Sequence, residues 1–194
     1  MDYFEVLKKY LSGFLSIPPL EWIYFARLLS VRKLEKDSYF FRQGESTGEI
    51  GFVLQGMLYN FYTDSNGKVA VKYFIREGEA VAPYSSLLLG EPAAFSCQAI
   101  ESCLIVTLQY QDLQKLYARH ICWEKMGRVS AEKLYIEKEK RELQFLTLEA
   151  AARYDQFMKA NSQISGRIPQ YLIASYLGIS PVSLSRIRKK RPCL

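Results

Sequence analysis

The sequence predicts an α+β fold: N-terminal helices, an antiparallel β jelly-roll or barrel, a long helix and a C-terminal all-α helix-turn-helix unit. Three observations support this prediction. Short alternating segments separated by glycines fill residues 31–108, and a charged segment without proline begins at Ile121. The stretch 168–190 is then apolar, small and finally basic. These patterns are typical of strands, of a long helix and of two short crossed helices.

The composition is that of an ordinary globular protein. The chain has 194 residues, of which 49% are hydrophobic and 24% charged, enough for one large domain or two small ones. No apolar run approaches the ~18–20 residues that span a bilayer. The N-terminus has an acid at Asp2 and no clean apolar core, unlike a secretory signal. We therefore expect a cytoplasmic protein.

Two short helices are expected before the strands. The segment "FEVLKKYLSGFL" has apolar residues at helical spacing, among them Phe4, Leu7 and Leu11. Helical spacing resumes after the prolines, and Pro19 suits a first helical turn. Both helices are expected to pack on the β-domain.

The β-region contains one strong hairpin signal. Two alternating runs, "EIGFVLQGMLYNFYTD" and "KVAVKYFI", flank Asn66 and Gly67. An Asn-Gly pair between such runs favours a tight turn. Glycines recur at positions 44, 51, 56, 67, 78 and 90, as expected for short strands of a jelly-roll or barrel. The last strong strand is "SCLIVTLQ".

The segment from about 121 to 146 predicts a long helix with a narrow apolar stripe. Its seam, at spacings of three and four, contains Met126, Val129, Lys133, Ile136, Lys140 and Leu143. Such a stripe favours pairing with a second helix, so we predict a homodimer seam at Met126, Val129, Ile136 and Leu143. The alternative is a helix that lies on the β-domain with a solvated outer face. A joint near Leu146 divides the chain into domains 1–146 and 147–194.

The stretch "IPQYLIASYLGISPVSLSRIRKK" predicts a helix-turn-helix. Gly178 supplies the positive φ of a tight turn between helices. Ser180 is a good N-cap, and Pro181 follows at the first helical position. Leu184 and Ile187 are then expected inside, so that Val182, Ser185, Arg186 and Lys189 point outwards. A generic helical hairpin is the alternative.

The net charge of +6 lies entirely in residues 161–194. That segment has six basic residues and no Asp or Glu, whereas the rest of the chain is neutral overall. A basic block of this kind is typical of a solvated tail or of a polyanion contact. The helical pattern favours duplex DNA, and the predicted DNA-binding residues are Gln170, Ser180, Val182, Ser183, Ser185, Arg186, Lys189, Lys190 and Arg191.

The sequence does not favour a catalytic or metal site. The four cysteines, Cys97, Cys103, Cys122 and Cys193, form no C-x-x-C pair, and His120 is the single histidine. Buried, reduced thiols are expected, with a redox-sensing thiol as the alternative. We find no Ser/His/Asp order, phosphate loop or carboxylate cluster, so we predict a protein that is not an enzyme and has no cofactor. His120 is expected to cap a helix or lie at the surface, and haem ligation is the less favoured alternative.

The order of these parts resembles the Crp/Fnr family of bacterial transcription regulators over about the full length. The segment "VRKLEKDSYFFRQGESTGEIGFVLQGML" resembles the opening of that family's sensor domain, with Gly44, Glu45 and Gly56 in place. The helix at 121–146 and the C-terminal motif stand where the family has its dimerisation helix and its DNA-binding helices. The resemblance implies a homodimer that binds double-stranded DNA and acts on RNA polymerase.

Two departures from the family pattern bear on specificity. Cyclic-nucleotide binders of this family have a Gly-Glu-Leu turn and then an Arg that holds the phosphate. Here the turn reads Ala82-Pro83-Tyr84, and Phe95 stands at the expected Arg position. Phe cannot pair with a phosphate, so we expect a different small-molecule effector or none. The candidate pocket residues are Tyr84, Ser85, Ser86, Phe95 and Ser96.

The second departure is Val182, where many relatives have Glu. Valine cannot accept a hydrogen bond from cytosine but can contact a thymine methyl, so a different operator sequence is expected. We also keep a second hypothesis, a ligand-binding module that regulates a protein partner and uses its helix-turn-helix only structurally. The basic terminus without acids favours DNA over this alternative.

Overall fold

The computed structural model describes residues 3–13 and 16–191 of the chain. Two helices, α1 (Tyr3–Ser12) and α2 (Pro19–Arg27), precede the strands. Pro19 begins α2, as its fixed φ allows. Leu7, Leu11, Trp22 and Phe25 are buried against the β-domain. The predicted N-terminal helices are thus confirmed for the residues described.

Eight strands and one short helix follow. The strands are β1 (Ser30–Leu34), β2 (Tyr39–Phe41), β3 (Glu49–Gln55), β4 (Leu58–Thr63), β5 (Val69–Ile75), β6 (Ala80–Val81), β7 (Ser96–Ala99) and β8 (Cys103–Gln109), and helix α3 (Tyr84–Leu89) lies between β6 and β7. They form two antiparallel sheets, ordered β1-β8-β3-β6 and β2-β7-β4-β5.

The two sheets enclose one apolar core but do not close into a barrel. Residues from both sheets, including Phe41, Val53, Leu58, Cys97 and Ile105, meet in a single buried cluster. Each sheet keeps its own edges, with β5 at one edge of the second sheet. The predicted α+β class with an antiparallel jelly-roll is confirmed, whereas a closed barrel is wrong. Closure needs hydrogen bonds all the way round, which short alternating strands do not specify.

The predicted hairpin joins β4 to β5. Asp64 Oδ1 accepts hydrogen bonds from the backbone N–H groups of Asn66 and Lys68, both at 2.9 Å. Gly67 has a φ of 77°, a conformation that costs glycine little. Side-chain and backbone preferences therefore agree on the turn, and the hairpin places β5 at the sheet edge.

Helix α4 (Tyr110–Arg119) leads into the long helix α5 (Ile121–Thr147). His120 is the N-cap of α5, and its Nδ1 accepts a hydrogen bond from Cys122 N–H at 3.1 Å, which confirms the expected capping role. The first turns of α5 are buried in their own chain, where Trp123 and Phe25 rings lie 4.7 Å apart. Met126, assigned above to the dimer seam, also lies in this core and is 5% exposed.

The C-terminal unit contains helices α6 (Ala150–Ala160), α7 (Gln170–Leu177) and α8 (Pro181–Lys190), with a 3₁₀ turn at Ser165–Arg167. These helices share a buried cluster with the second sheet. The sheet side contributes Met57, Tyr59, Phe61, Val71, Phe74 and Ile100, and the C-terminal side contributes Tyr154, Phe157, Ile164, Ile168, Leu172, Ile173, Ala174, Leu177 and Leu184. Among the described helices, none combines the length and apolar content of a membrane-spanning segment.

Candidate nucleic-acid interface

The turn between α7 and α8 is built on Gly178. Its φ is 69°, and the N–H groups of Gly178 and Ile179 donate to the carbonyls of Ser175 and Ala174 at 3.1 and 3.0 Å. These bonds satisfy carbonyls that the helix end leaves free. A Cβ at residue 178 would also lie 2.9 Å from a ring carbon of Phe145. Conformation and space both require glycine here.

Ser180 starts α8 as predicted. Its Oγ accepts a hydrogen bond from Ser183 N–H at 3.1 Å, and the two hydroxyls lie 2.9 Å apart. Pro181 occupies the first turn, where it has no N–H to satisfy. Ser180 and Ser183 therefore already serve the helix start, which leaves their hydroxyls less free for bases or phosphates.

The two faces of α8 are sharply different. Leu184 is 1% exposed and Ile187 is half-buried, so the inner face follows the prediction. Val182 is 60% exposed. The predicted outward residues Ser185, Arg186, Lys189 and Lys190 are also exposed, and Gln170 is exposed at the start of α7. The structure thus leaves these predicted polar and basic residues of α7 and α8 open to solvent.

Two of the six terminal cations are ion-paired within the chain. Arg191 Nε lies 2.9 Å from Asp155 Oδ1. The guanidinium of Arg167 pairs with the carboxylates of Glu77 and Glu101, and hydrogen bonds to these two groups raise the pKa of Arg167. Arg167 therefore joins the helical unit to the β-domain. The cations of α8 itself remain on the exposed face.

The five candidate pocket residues serve different local purposes. Phe95 is buried, and its ring packs on Phe41 and Tyr62 at 5.5 and 5.9 Å between centroids. Ser86 Oγ accepts a hydrogen bond from Ala94 N–H at 3.2 Å, and Ser96 Oγ accepts one from Gln43 N–H at 2.9 Å.

Tyr84 and Ser85 begin α3 and are half-buried and exposed, respectively. Ser96 borders a shallow surface groove with Arg42 and Gln43. The assignment of these residues to an effector pocket stays a prediction.

Lys72 on β5 is the cation that the sequence analysis missed. Its ammonium lies 3.8 Å from the centre of the Phe95 ring and 5.4 Å from that of Tyr62. Burial first, and then the neighbouring cations Lys138 and Arg141, lower the pKa of Lys72 to about 8. A lysine inside an alternating strand is normally taken as solvent-exposed, so the sequence carries no signal for this contact.

Comparison with known proteins shows which fold this geometry has. Residues 31–120 match the family model of the cyclic nucleotide-binding domain. The structure of FixK2 from Bradyrhizobium japonicum aligns with 84% of this chain and with 83% of its own chain, at 16% sequence identity and a TM-score of 0.74. The chain has the Crp/Fnr fold.

Other solved structures agree with this Crp/Fnr fold. The c-di-GMP responsive global regulator CLP of Xanthomonas campestris aligns over 89% of this chain and 91% of its own, with 16% identity and a TM-score of 0.72. The catabolite activator protein of Thermus thermophilus covers 93% and 85%, with 20% identity and a TM-score of 0.57. No curated protein sequence matches the chain significantly.

The three thiols that the structure describes lie in buried positions. Cys97, Cys103 and Cys122 are free and buried, and burial raises the pKa of each thiol, to about 11 for Cys103. Thiols react as thiolates, so these three favour a structural role over redox sensing. Cys193 lies outside the described residues. Within residues 3–13 and 16–191, no three His, Cys, Asp or Glu residues group as metal ligands.

Proposed function

We propose that this protein is a homodimeric, DNA-binding transcription regulator whose sensor domain controls its C-terminal helices. The observation that carries the proposal is the outward face of α8, which is exposed, basic and free of acids. Arg186 lies one turn into the helix, where a guanidinium can pair with guanine O6 and N7. Lys189 and Lys190 follow at the helix end and suit phosphates.

Titration of the protein with duplex DNA selected from a random pool tests this proposal. We expect affinity for selected duplex to exceed affinity for random duplex by ~10³-fold or more. Both affinities should fall as salt rises, because phosphate contacts release counterions. Equal affinity for both duplexes at all salt concentrations would instead favour the alternative function, a ligand-binding module that regulates a protein partner.

The exposed middle of α5 supports a dimer. Every residue from 131 to 140 is exposed in the single chain, although this stretch contains apolar side chains. Leu134, Tyr135, Ile136 and, further on, Leu143 are 47%, 63%, 49% and 62% exposed. A helix that is apolar in part and unburied by its own chain is best covered by a second copy. Val129, Ile136 and Leu143 remain the proposed seam, whereas Met126 packs within its own chain.

We further propose that the effector is not a cyclic nucleotide bound in the usual pose. The buried Phe95 ring occupies the region where relatives are expected to place an arginine, and it cannot pair with a phosphate. Calorimetry with cyclic AMP should show no binding tighter than millimolar. A micromolar dissociation constant would mean that a nearby cation reaches the phosphate. The geometry favours Lys72 for that role over Arg76, since Arg76 Nε pairs with Glu79 at 3.3 Å.

We also propose RNA polymerase as the partner, on the family resemblance stated above, and the cytoplasm as the location. A catalytic function is not proposed, because the described hydroxyl, thiol and carboxylate groups discussed above serve capping, core and ion-pair roles.

A further inference from the structure

The DNA-binding helices of this protein cover an open edge of the sensor sheet. β5 is the last strand of its sheet, so the outward N–H and C=O groups of that strand need other partners. Helix α7 supplies them through Ser175. Its hydroxyl accepts a hydrogen bond from Val71 N–H at 3.0 Å and donates one to the Val69 carbonyl at 2.8 Å. One side chain therefore takes the place of a neighbouring strand at two positions.

Arg141 of α5 binds the next groups along the same edge. Its Nη2 donates to the Val71 carbonyl at 2.9 Å and its Nη1 donates to the Lys72 carbonyl. Nη2 also donates to the Tyr176 carbonyl at 3.0 Å, in the last turn of α7. That carbonyl is one that the helix leaves free, at the negative end of the helix dipole. A single guanidinium thus joins the long helix, the sensor strand and the helix-turn-helix.

The environment of Arg141 fixes its geometry. Its guanidinium lies 4.3 Å from the centre of the Tyr176 ring and 5.2 Å from that of Phe145. Burial, which keeps water from this cation, lowers the pKa of Arg141. A cation in such a place needs partners for its donors, and the three carbonyls accept three of its five N–H groups. Lysine lacks the planar fork that reaches several acceptors at once.

Apolar contacts and ion pairs hold the same interface elsewhere. The rings of Phe74 on β5, Phe157 on α6 and Tyr176 on α7 lie 5.2 to 6.0 Å apart. Arg167 adds the ion pairs to Glu77 and Glu101. The outward face of α8 stays exposed in this docked arrangement, so docking presents the basic face and does not hide it.

We propose that Arg141 is a positioning residue for DNA binding, which clamps α7 to the edge of β5 and so fixes the direction in which α8 is presented. The inference rests on the proposed function. In a dimer paired through α5, the same helix carries the seam and Arg141, so this clamp sets the separation of the two α8 helices. A dimeric helix-turn-helix needs that separation fixed, because half-sites repeat at ~34 Å along DNA.

Three variants test the clamp. Arg141→Lys keeps the charge but removes the fork, and Ser175→Ala removes the bonds to Val69 and Val71. Arg128→Lys is the matched control, since Arg128 lies on the same helix in an exposed pair with Glu132. In the free protein, Ser175→Ala should accelerate hydrogen exchange of the Val71 amide by ~5–10-fold, the loss of one hydrogen bond.

DNA affinity is then measured by anisotropy, with the active fraction taken from a stoichiometric titration. Arg141→Lys and Ser175→Ala should each weaken binding to the selected duplex by ~10-fold. In these variants the orientation of α8 is fixed only when DNA binds, and this ordering reduces the affinity. Binding to random duplex should change by less than ~3-fold, since it needs only charge near the phosphates. The control should match the wild type. A partly unfolded variant would lower the active fraction without changing the dissociation constant of the remainder.

Unchanged affinity for the selected duplex in both variants would overturn the positioning role. Tighter binding would overturn it as well, because docking would then restrain α8. If Arg141→Lys does not fold, Ser175→Ala alone decides between these outcomes. A wild-type protein that binds no duplex would overturn the proposed function. The clamp is tested separately by hydrogen exchange, and an unchanged exchange rate of the Val71 amide in Ser175→Ala would overturn it.

Discussion

At the scale of single residues, α8 separates side chains that read DNA sequence from those that hold the backbone. Arg186 is exposed one turn into the helix, and Lys190 is exposed at its end. A bidentate contact from arginine to guanine is worth ~1–3 kcal/mol of discrimination between bases. A lysine at a phosphate contributes affinity without sequence information.

Arg186→Ala should therefore weaken binding to the selected operator by ~10-fold or more and leave random duplex nearly unchanged. Lys190→Ala should weaken both and reduce the slope of log affinity against log salt by about one. Footprinting and salt titration measure both effects. Equal losses on both duplexes for Arg186→Ala would make Arg186 a phosphate contact and would reverse our orientation of the helix.

Lys72 provides a second test at this scale. The pKa of Lys72 is lowered from 10.5 to about 8. Below pH 8 the side chain is therefore charged in the folded state, and this charge destabilises the fold. Unfolding relieves that cost, and stability due to Lys72 should rise as pH increases from about 8 towards the unfolded pKa of 10.5.

Lys72→Met should stabilise the protein by ~1–2 kcal/mol at pH 7. This is less than the shift in the pKa of Lys72 would give by itself, because the side chain is partly solvated. Urea unfolding at pH 7 and pH 9 should show this advantage shrinking as the pH rises. The matched control is the same mutation to Met at the exposed Lys68. An advantage that grows with pH would contradict the assigned charge state.

At the scale of elements, α5 serves two partners along its length. Its first turns are buried under α2 through Trp123, and its middle is exposed on all faces. Arg141 then anchors the last part to β5 and α7. The exposed middle is the part available to a second copy.

Ile136→Glu should convert dimers to monomers, because it places a charge in the apolar seam. Sedimentation at micromolar concentration distinguishes the two states. Ile121→Glu is the matched control, since Ile121 is 69% exposed on the same helix but outside the predicted seam. A wild-type protein that sediments as a monomer would refute pairing through this helix.

At the scale of the whole molecule, the sensor sheet and the C-terminal helices form one buried cluster. The domain boundary near Leu146 stays a prediction, and in the structure α5 ends at Thr147. In the shared cluster, the second sheet and the C-terminal helices each bury apolar surface against the other. We therefore expect both parts to unfold together.

Phe157→Ala, in the C-terminal part, should lower the stability of the sensor domain as well, by ~3–5 kcal/mol for loss of a buried ring. Near- and far-ultraviolet circular dichroism should report one coincident thermal transition at a lower temperature. Tyr171→Ala is the control, because Tyr171 is 60% exposed and should change stability by less than ~0.5 kcal/mol. Two separate transitions in the wild type would show independent domains.

The sequence alone determined most of the elements and their order, although helix α3 lies within the region predicted as strands. The hairpin at Asn66 and Gly67, the turn at Gly178 and the start of α8 at Ser180 depend on local backbone preferences, so they are readable from neighbouring residues. The outward face of α8 follows from helical period for the same reason.

Tertiary structure decided which surfaces meet. It placed Met126 in the core of its own chain, left the sheets open instead of closing a barrel, and put Lys72 on Phe95. The clamp joins Arg141 to Val71 and Ser175 to Val69, pairs 70 and 106 residues apart in sequence. Such contacts depend on how whole elements pack, and serine, lysine and arginine look like surface residues until an edge strand with unpaired backbone groups is placed beside them.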